Sequence, residues 1–213
     1  MLLSAPTGRL PREEVAGTLW PEFDPLRAHQ NLRTAVSSLR RLLAHSQWVR
    51  IEGPSVRLDM PSVRRDDVVF AEAAVAALER PSFDVVARAI GAYGGEFLPD
   101  DRYSDWTIYR RQELATLRRR LVLEAARLAQ SKTEMESAAG WVRNVLAGDP
   151  ADEPLARAAM RLYHRSGRRT EALRVYARLE RALADELEVE PEPETQNLRA
   201  EVVKGPSSGE VSA

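Results

Sequence analysis

The sequence lacks cysteine and contains only two lysines. It also has no apolar run of the roughly 18 to 20 residues that a membrane-spanning helix requires. The absence of cysteine excludes disulfides, thiolate nucleophiles and cysteine metal sites, and fits a reducing compartment. The first residues lack the charged and apolar regions of a secretory signal. We therefore expect a cytoplasmic protein without a membrane partner.

Patterns typical of enzyme sites are also missing. The three histidines are scattered without metal-ligand spacing, and neither GxxxxGK[ST] nor GxGxxG occurs. Asp100, Asp101 and Asp105 form an acidic cluster, which helix capping and the favourable position of acids near a helix N-terminus explain more simply than a metal site does. We predict that the protein is not an enzyme and needs no cofactor.

The whole chain is nearly neutral, but one segment of it carries an excess of positive charge. The 213 residues include 31 basic and 32 acidic side chains, for a net charge of −1, and 44% hydrophobic residues provide for a core. From Pro25 to Ile51 there are five arginines and no Asp or Glu. This excludes a uniformly basic coat and restricts any contact with DNA to one region.

The basic window contains a predicted amphipathic helix from Arg27 to Leu43. The apolar face, at the i, i+4, i+7 and i+11 spacing of a buried stripe, comprises Ala28, Leu32, Val36, Leu39 and Leu43. The other face and its flanks are polar, and comprise Gln30, Arg33, Thr34, Ser37, Ser38, Arg40 and Arg41. A basic helix alone more often faces solvent than a ligand, so its neighbours decide the interpretation.

The neighbours of this helix predict a winged helix-turn-helix. A short helix in "LPREEVAGTLWP" precedes it and is stopped by Pro21 and Pro25, which gives two helices joined by a tight connection. Two short strands follow, Trp48 to Ile51 and Val56 to Asp59, around a Gly-Pro turn. A hairpin placed directly after a basic helix is typical of a wing.

The rest of the chain predicts helices only. "MPSVRRDD", 60–67, marks a domain boundary, so we expect a DNA-binding domain at 1–62, a helical domain at 63–204 and a disordered tail at 205–213. A long helix is expected from about residue 103 to 130, with inward positions that include Trp106, Tyr109, Leu114 and Leu121.

The second half also repeats itself at an offset of 34 residues. Ala125 then aligns with Ala159, and Ala138 aligns with Ala172. Paired helices with this period are typical of tetratricopeptide repeats, and such pairs stack to bury one continuous core. The predicted fold is mainly α, a partial winged helix-turn-helix followed by an all-α tetratricopeptide-like helical repeat domain.

Three segments resemble regulators of the streptomycete antibiotic regulatory protein type. "REEVAGTLWPEFDPLRAHQNLRTAVSSLRRLL" is similar to their winged-helix core. "YGGEFLPDDRYSDWTIYRRQEL" and "RALADELEVEPEPETQNL" resemble the hallmark and the closing motif of their bacterial transcriptional activator domain. The resemblance implies a regulator, in most cases an activator, that binds promoter DNA, can form a homodimer and contacts RNA polymerase.

One departure from that family concerns the N-terminus. The family's winged helix normally begins with a small sheet and a complete first helix, whereas "MLLSAPTGRL" looks like the end of that helix. The expectation is a winged helix without its N-terminal sheet, through a misassigned start codon or a genuine truncation. Apolar surface should then be exposed on Leu2, Leu3, Val15 and Leu19.

Within this framework, nine residues are candidates for DNA contact. The best candidates for base edges are Gln30, Thr34, Ser37 and Arg41. Those expected on phosphates are Arg27, Arg33, Arg40, Arg50 and Arg57. An alternative function stays open, a protein-interaction module or antagonist that does not bind DNA and whose winged helix is vestigial.

Overall fold

The structure, a computed structural model, describes residues 1–5, 7–43, 45–60, 63–101 and 103–204. The described chain is mainly helical with one small antiparallel sheet, which confirms the predicted fold class. The tail that we predict to be disordered, 205–213, lies outside the described residues. In the same described part of the chain, no helix is both long and apolar enough to cross a membrane.

Within the described residues, all three strands lie before residue 60, and the later elements are helical. The N-terminal elements are β1 Arg9–Pro11, α1 Arg12–Leu19, α2 Pro25–Leu42, β2 Val49–Glu52 and β3 Ser55–Leu58. The helices that follow are α3 Asp66–Glu79, α4 Phe83–Gly91, α5 Asp105–Leu128, α6 Lys132–Leu146, α7 Glu153–Arg165, α8 Arg169–Leu187 and α9 Pro193–Lys204.

Packing groups the chain into two compact units. Unit 1 consists of Met1–Arg65 together with Gly95–Leu114, and unit 2 consists of Asp66–Gly94 together with the chain from Ala115 onward. The sequence pattern predicted one boundary, after residue 62, and did not indicate that Gly95–Leu114 belongs with the N-terminal residues. That segment contains the loop before α5 and the first turns of α5.

The sheet of unit 1 has three strands in the order β1-β3-β2, all antiparallel. The β2-β3 hairpin confirms the predicted wing, whereas β1 was not predicted because three residues are too few to show alternation. Gly8 leads into β1 with a φ of +63°, and a Cβ there would lie 2.6 Å from the Leu58 carbonyl oxygen. The backbone N–H of Leu58 donates to the Gly8 carbonyl at 2.7 Å.

The core of unit 1 lies between α1, α2 and the sheet. Its buried members are Val15, Ala16, Ala28, Leu32, Val36, Val49 and Val56. The expectation that Val15 is exposed was therefore wrong, since the hairpin and α2 cover this side chain. Leu2 is partly buried against the same cluster, whereas Leu19 is exposed as expected. Leu39, expected in the stripe, is 44% exposed, because the buried row runs at i+4 steps and so continues to position 40.

Unit 2 contains the predicted helix pairs. Positions 34 residues apart are buried in both pairs, including Ala125 with Ala159 and Ala138 with Ala172. Gly167 connects α7 to α8 with a φ of +74°, which glycine adopts without steric cost. The long helix α5 begins later and ends earlier than predicted. Tyr109 is exposed rather than inward, because the buried row of α5 runs through Thr107, Leu114 and Leu121, and two residues beyond Thr107 lie on the other side of the helix.

The closing motif of the chain is fixed by a buried polar cluster. The Glu153 carboxylate accepts the backbone N–H of Glu192 at 3.0 Å and the hydroxyl of Thr195. Arg157 donates to that hydroxyl at 2.8 Å and to the Glu192 carboxylate at 2.7 Å. Since buried charges are costly unless they are paired and hydrogen-bonded, this cluster holds α9 against α7 in one geometry.

Candidate nucleic-acid interface

The start of α2 is fixed by its own capping residue. An oxygen of the Asp24 side chain accepts the backbone N–H groups of Leu26 at 3.0 Å and Arg27 at 3.1 Å. Pro25 occupies the first helical position, where its missing N–H costs no hydrogen bond. This cap sets the helical register and thereby decides which side chains face away from the core.

One exposed surface of α2 carries six of the nine candidate residues. Ala28, Leu32 and Val36 face the core. The opposite surface, here called the outer face of α2, comprises the exposed residues Arg27, Gln30, Arg33, Thr34, Ser37 and Arg41. Helix α2 contains no Asp or Glu, so this surface is positive as well as polar. Guanidinium, amide and hydroxyl groups on one helix face can form hydrogen bonds with base edges and phosphates.

Two arginines of the outer face have weak local contacts. Arg41 donates to the Ser38 hydroxyl at 3.2 Å, and the Arg27 guanidinium lies over the Phe23 ring, 4.5 Å from its centroid. Both side chains are exposed, so a phosphate can replace these contacts at small cost.

Arg40 differs from the other candidates because it ties α2 to the hairpin. Its side chain is partly buried, and its Nε donates to the Val49 carbonyl at 2.8 Å. Arg40 thus occupies the end of the buried row, where the apolar spacing predicted Leu39. Its phosphate contact stays a prediction, and substitution of Arg40 changes the support of the hairpin as well as the charge.

The arginines of the hairpin are paired with acids from the same hairpin. Arg50 and Arg57 lie directly opposite each other on β2 and β3. Glu52 lies 3.3 Å from Arg50, and Asp59 lies 3.2 Å from Arg57. The acids offset the repulsion between two like charges on facing strands. All four side chains are between one third and one half exposed, and ion pairs of this kind contribute only about 0–1 kcal/mol.

The structure adds Arg9 to the candidate residues. Arg9 on β1 lies opposite Arg57, which in turn lies opposite Arg50, so three arginines form one row across the sheet. Arg9 is exposed, and Glu52 and Asp59 provide two negative charges for these three cations. Sequence reasoning missed Arg9 because it missed β1; the only available signal was the isolated "GRLP" before the first helix.

Metal binding has no support in the described part of the chain. The described residues contain no group of three or more His, Asp or Glu side chains arranged to hold a metal ion. The acidic residues Asp100 and Asp101 lie in a single helical turn just before α5. The exposed arginines of unit 1 can chemically recognise an anion.

Comparison with known proteins identifies the helical part of the chain. The family model of the bacterial transcriptional activator domain matches residues 62–203. Regulatory protein AfsR of Streptomyces griseus is 30% identical over 223 residues, which cover 95% of this chain and 22% of that protein. Transcriptional regulatory protein EmbR of Mycobacterium bovis is 27% identical over 205 residues, which cover 87% of this chain and 51% of that protein.

A solved structure supports the fold. Mycobacterium tuberculosis EmbR, in complex with a low affinity phosphopeptide, superposes with a TM-score of 0.75 at 21% identity. The match covers 96% of this chain and 57% of that chain. The chain thus spans about half the length of EmbR and about a fifth of the length of AfsR.

Proposed function

The chain belongs to the transcriptional regulators of the streptomycete antibiotic regulatory protein type that carry the bacterial transcriptional activator domain, and we propose that it binds promoter DNA through unit 1. The observation that carries this proposal is the outer face of α2, which is exposed, rich in arginine and free of acids. An α-helix fits the major groove of B-DNA, where each base pair presents a distinct pattern of donors and acceptors.

The proposed division of roles follows from position along the helix and sheet. Gln30, Thr34, Ser37 and Arg41 read base edges, while Arg27 and Arg33 contact phosphates. The row of Arg9, Arg57 and Arg50 lies on the face of the sheet turned away from the core. It contacts the backbone of the duplex, where phosphates displace Glu52 and Asp59. Arg40 supports the hairpin through Val49 and contacts a phosphate with its free nitrogens.

The helical repeat unit takes the remaining roles in this proposal. It mediates homodimerisation and contact with RNA polymerase, so that the bound protein activates transcription in the cytoplasm. The proposal includes no catalytic step and no cofactor. Support comes from the family to which residues 62–203 belong and from the names of the relatives, which are regulators.

A salt titration on selected DNA tests the proposal. The full chain is used to enrich binding sites from a pool of random DNA duplexes. Its affinity for the most strongly enriched duplex is then measured as a function of salt concentration. Each phosphate contact contributes a slope of about 0.9 in log affinity against log salt, so an outer-face variant that loses one contact lowers the slope by about 0.9. The test variant is Arg33→Ala with Arg41→Ala, which spares Arg40 and the core.

The matched control is Arg120→Ala with Arg181→Ala, two exposed arginines of unit 2 that remove the same charge. The control should retain the wild-type slope and sequence preference. Equal slopes for both double variants would overturn the assignment to α2.

A second function is favoured by one observation, the pairing of Arg50 and Arg57 with acids, which removes much of the positive charge of the hairpin. In that case the chain is a protein-interaction module or antagonist that does not bind DNA. Failure of the pool to enrich any sequence would favour this alternative.

A further inference from the structure

Unit 2 contains a pocket that the proposed DNA contact does not use. It lies between α6, α7 and α8 and has a volume of about 410 Å³. This size falls within the roughly 300–1,000 Å³ that is typical of ligand pockets. Its floor and walls are aliphatic, formed by Leu146, Pro150, Ala156, Ala159, Val175 and Leu179.

The rim of the pocket is positively charged. It carries Arg143 on α6 and Arg168, Arg174 and Arg178 on α8 or its start, against one acid, Glu171. Arg168 is already engaged, because it pairs with Glu171 at 3.1 Å and lies over the Tyr163 ring, 4.9 Å from its centroid.

The other three rim arginines are available. Within the part of the chain that the structure describes, Arg143, Arg174 and Arg178 have neither a hydrogen bond nor an ion pair, and all three are exposed. Glu171 stays ionised, since its own backbone N–H and then Arg168 lower the pKa of its carboxyl. An incoming carboxylate is therefore attracted to the three exposed arginines of the rim, while Glu171, which interacts electrostatically with Arg168 and Arg174, repels a carboxylate placed directly beside it.

We propose that this pocket binds an acidic segment of a partner protein that inserts aliphatic side chains between α6 and α8. The aliphatic floor requires apolar groups, and the unpaired guanidiniums require carboxylates. Arg174 and Arg178 are one helical turn apart, and Arg143 lies on the opposite wall, so the positive charge is spread along and across the pocket. Several carboxylates on one peptide match that spread better than the single anionic head of a small amphipathic molecule.

Fluorescence anisotropy with the full chain tests the proposal. The probe is a labelled peptide that carries two leucines flanked by glutamates, so that the leucines enter the pocket and the glutamates reach the arginines of its rim. Two matched peptides replace either the leucines by serine or the glutamates by glutamine. We expect saturable binding of the first peptide only, because both the apolar and the anionic groups are required.

Variants of the rim make the result specific. Arg174→Glu with Arg178→Glu should weaken binding at least tenfold, whereas Arg181→Glu with Arg120→Glu, which reverses two exposed arginines outside the pocket, should change it less than twofold. Ala147→Trp places a large ring at the mouth of the pocket and should abolish binding without loss of the circular dichroism spectrum.

Three outcomes would overturn the proposal. Equal binding of the three peptides would mean that the pocket recognises neither the leucines nor the glutamates. Binding of dodecanoate in place of the peptide, sensitive to Ala147→Trp, would assign the pocket to a small amphipathic anion. A dimer of the wild-type chain that Ala147→Trp dissociates would assign it to a second copy. Since DNA binding is measured separately on the same variants, failure here leaves the proposed function of unit 1 unaffected.

Discussion

Thr195 illustrates how one side chain can decide the position of a helix. It is fully buried, and its hydroxyl lies between the Glu153 carboxylate and the Arg157 guanidinium. Each of the two charged groups needs the hydroxyl because both are about nine-tenths buried and water cannot replace it. In the sequence, Thr195 is one polar residue among others in "EPEPETQNL", and no pattern there predicts that it is buried.

Replacement of this hydroxyl should therefore be costly. Thr195→Val keeps the shape of the side chain but removes one hydrogen-bond partner from each of the two buried charged groups. We therefore expect the free energy of unfolding to fall by about 2–3 kcal/mol. Thr195→Ser keeps the hydroxyl and should cost only about 1 kcal/mol for the lost methyl group. Urea denaturation of both variants measures the difference, and equal losses would contradict the assigned role of the hydroxyl.

At the scale of elements, the sequence pattern predicted the helices and strands whose apolar residues repeat at a regular spacing. The apolar spacing of α2, the alternation of the hairpin and the 34-residue repeat each appear in the fold. Strand β1 has no period of its own, because it becomes a strand only through its pairing with β3. Its presence gives the wing a third strand and adds Arg9 to the candidate interface.

Two glycines of unit 1 provide a matched test of β1. Gly8→Ala forces a left-handed φ on alanine and places its Cβ against the Leu58 carbonyl, so we expect a loss of about 1–2 kcal/mol or more. Gly17→Ala lies in α1 with no atom near the added Cβ and should stabilise the protein by about 0.5–1 kcal/mol. Thermal unfolding monitored by circular dichroism compares them. Stabilisation by Gly8→Ala would mean that β1 does not pair as described.

At the scale of the whole molecule, the units do not follow the order of the chain. Unit 1 takes up Gly95–Leu114, which includes the buried residues Thr107 and Leu114. Arg111 on this segment donates from its Nε to the Phe97 carbonyl at 2.7 Å, which holds the loop before α5 against the helix. A boundary drawn from composition cannot detect such a contribution, because the segment is separated from the rest of its unit by α3 and α4.

This division predicts the behaviour of a fragment. A chain that ends at Arg65 lacks Gly95–Leu114, so its α2 amides should exchange hydrogen faster than the same amides in the full chain. The expected decrease in protection is global within the fragment, since the missing segment belongs to the same compact unit. Hydrogen exchange measured by NMR tests this, and unchanged protection would indicate that residues 1–65 are stable alone.

The sequence by itself determined the helices, the hairpin, the repeat and the polarity of the outer face of α2, because each depends on side-chain period and on turn or cap residues that are close in the chain. Only the tertiary structure decided that β1 joins the sheet, that Arg40 supports Val49 and that acids pair with Arg50 and Arg57. It also decided that Thr195 is buried between charges. These features arise from contacts between groups whose meeting depends on how the elements pack, and the local sequence pattern contains no record of that packing.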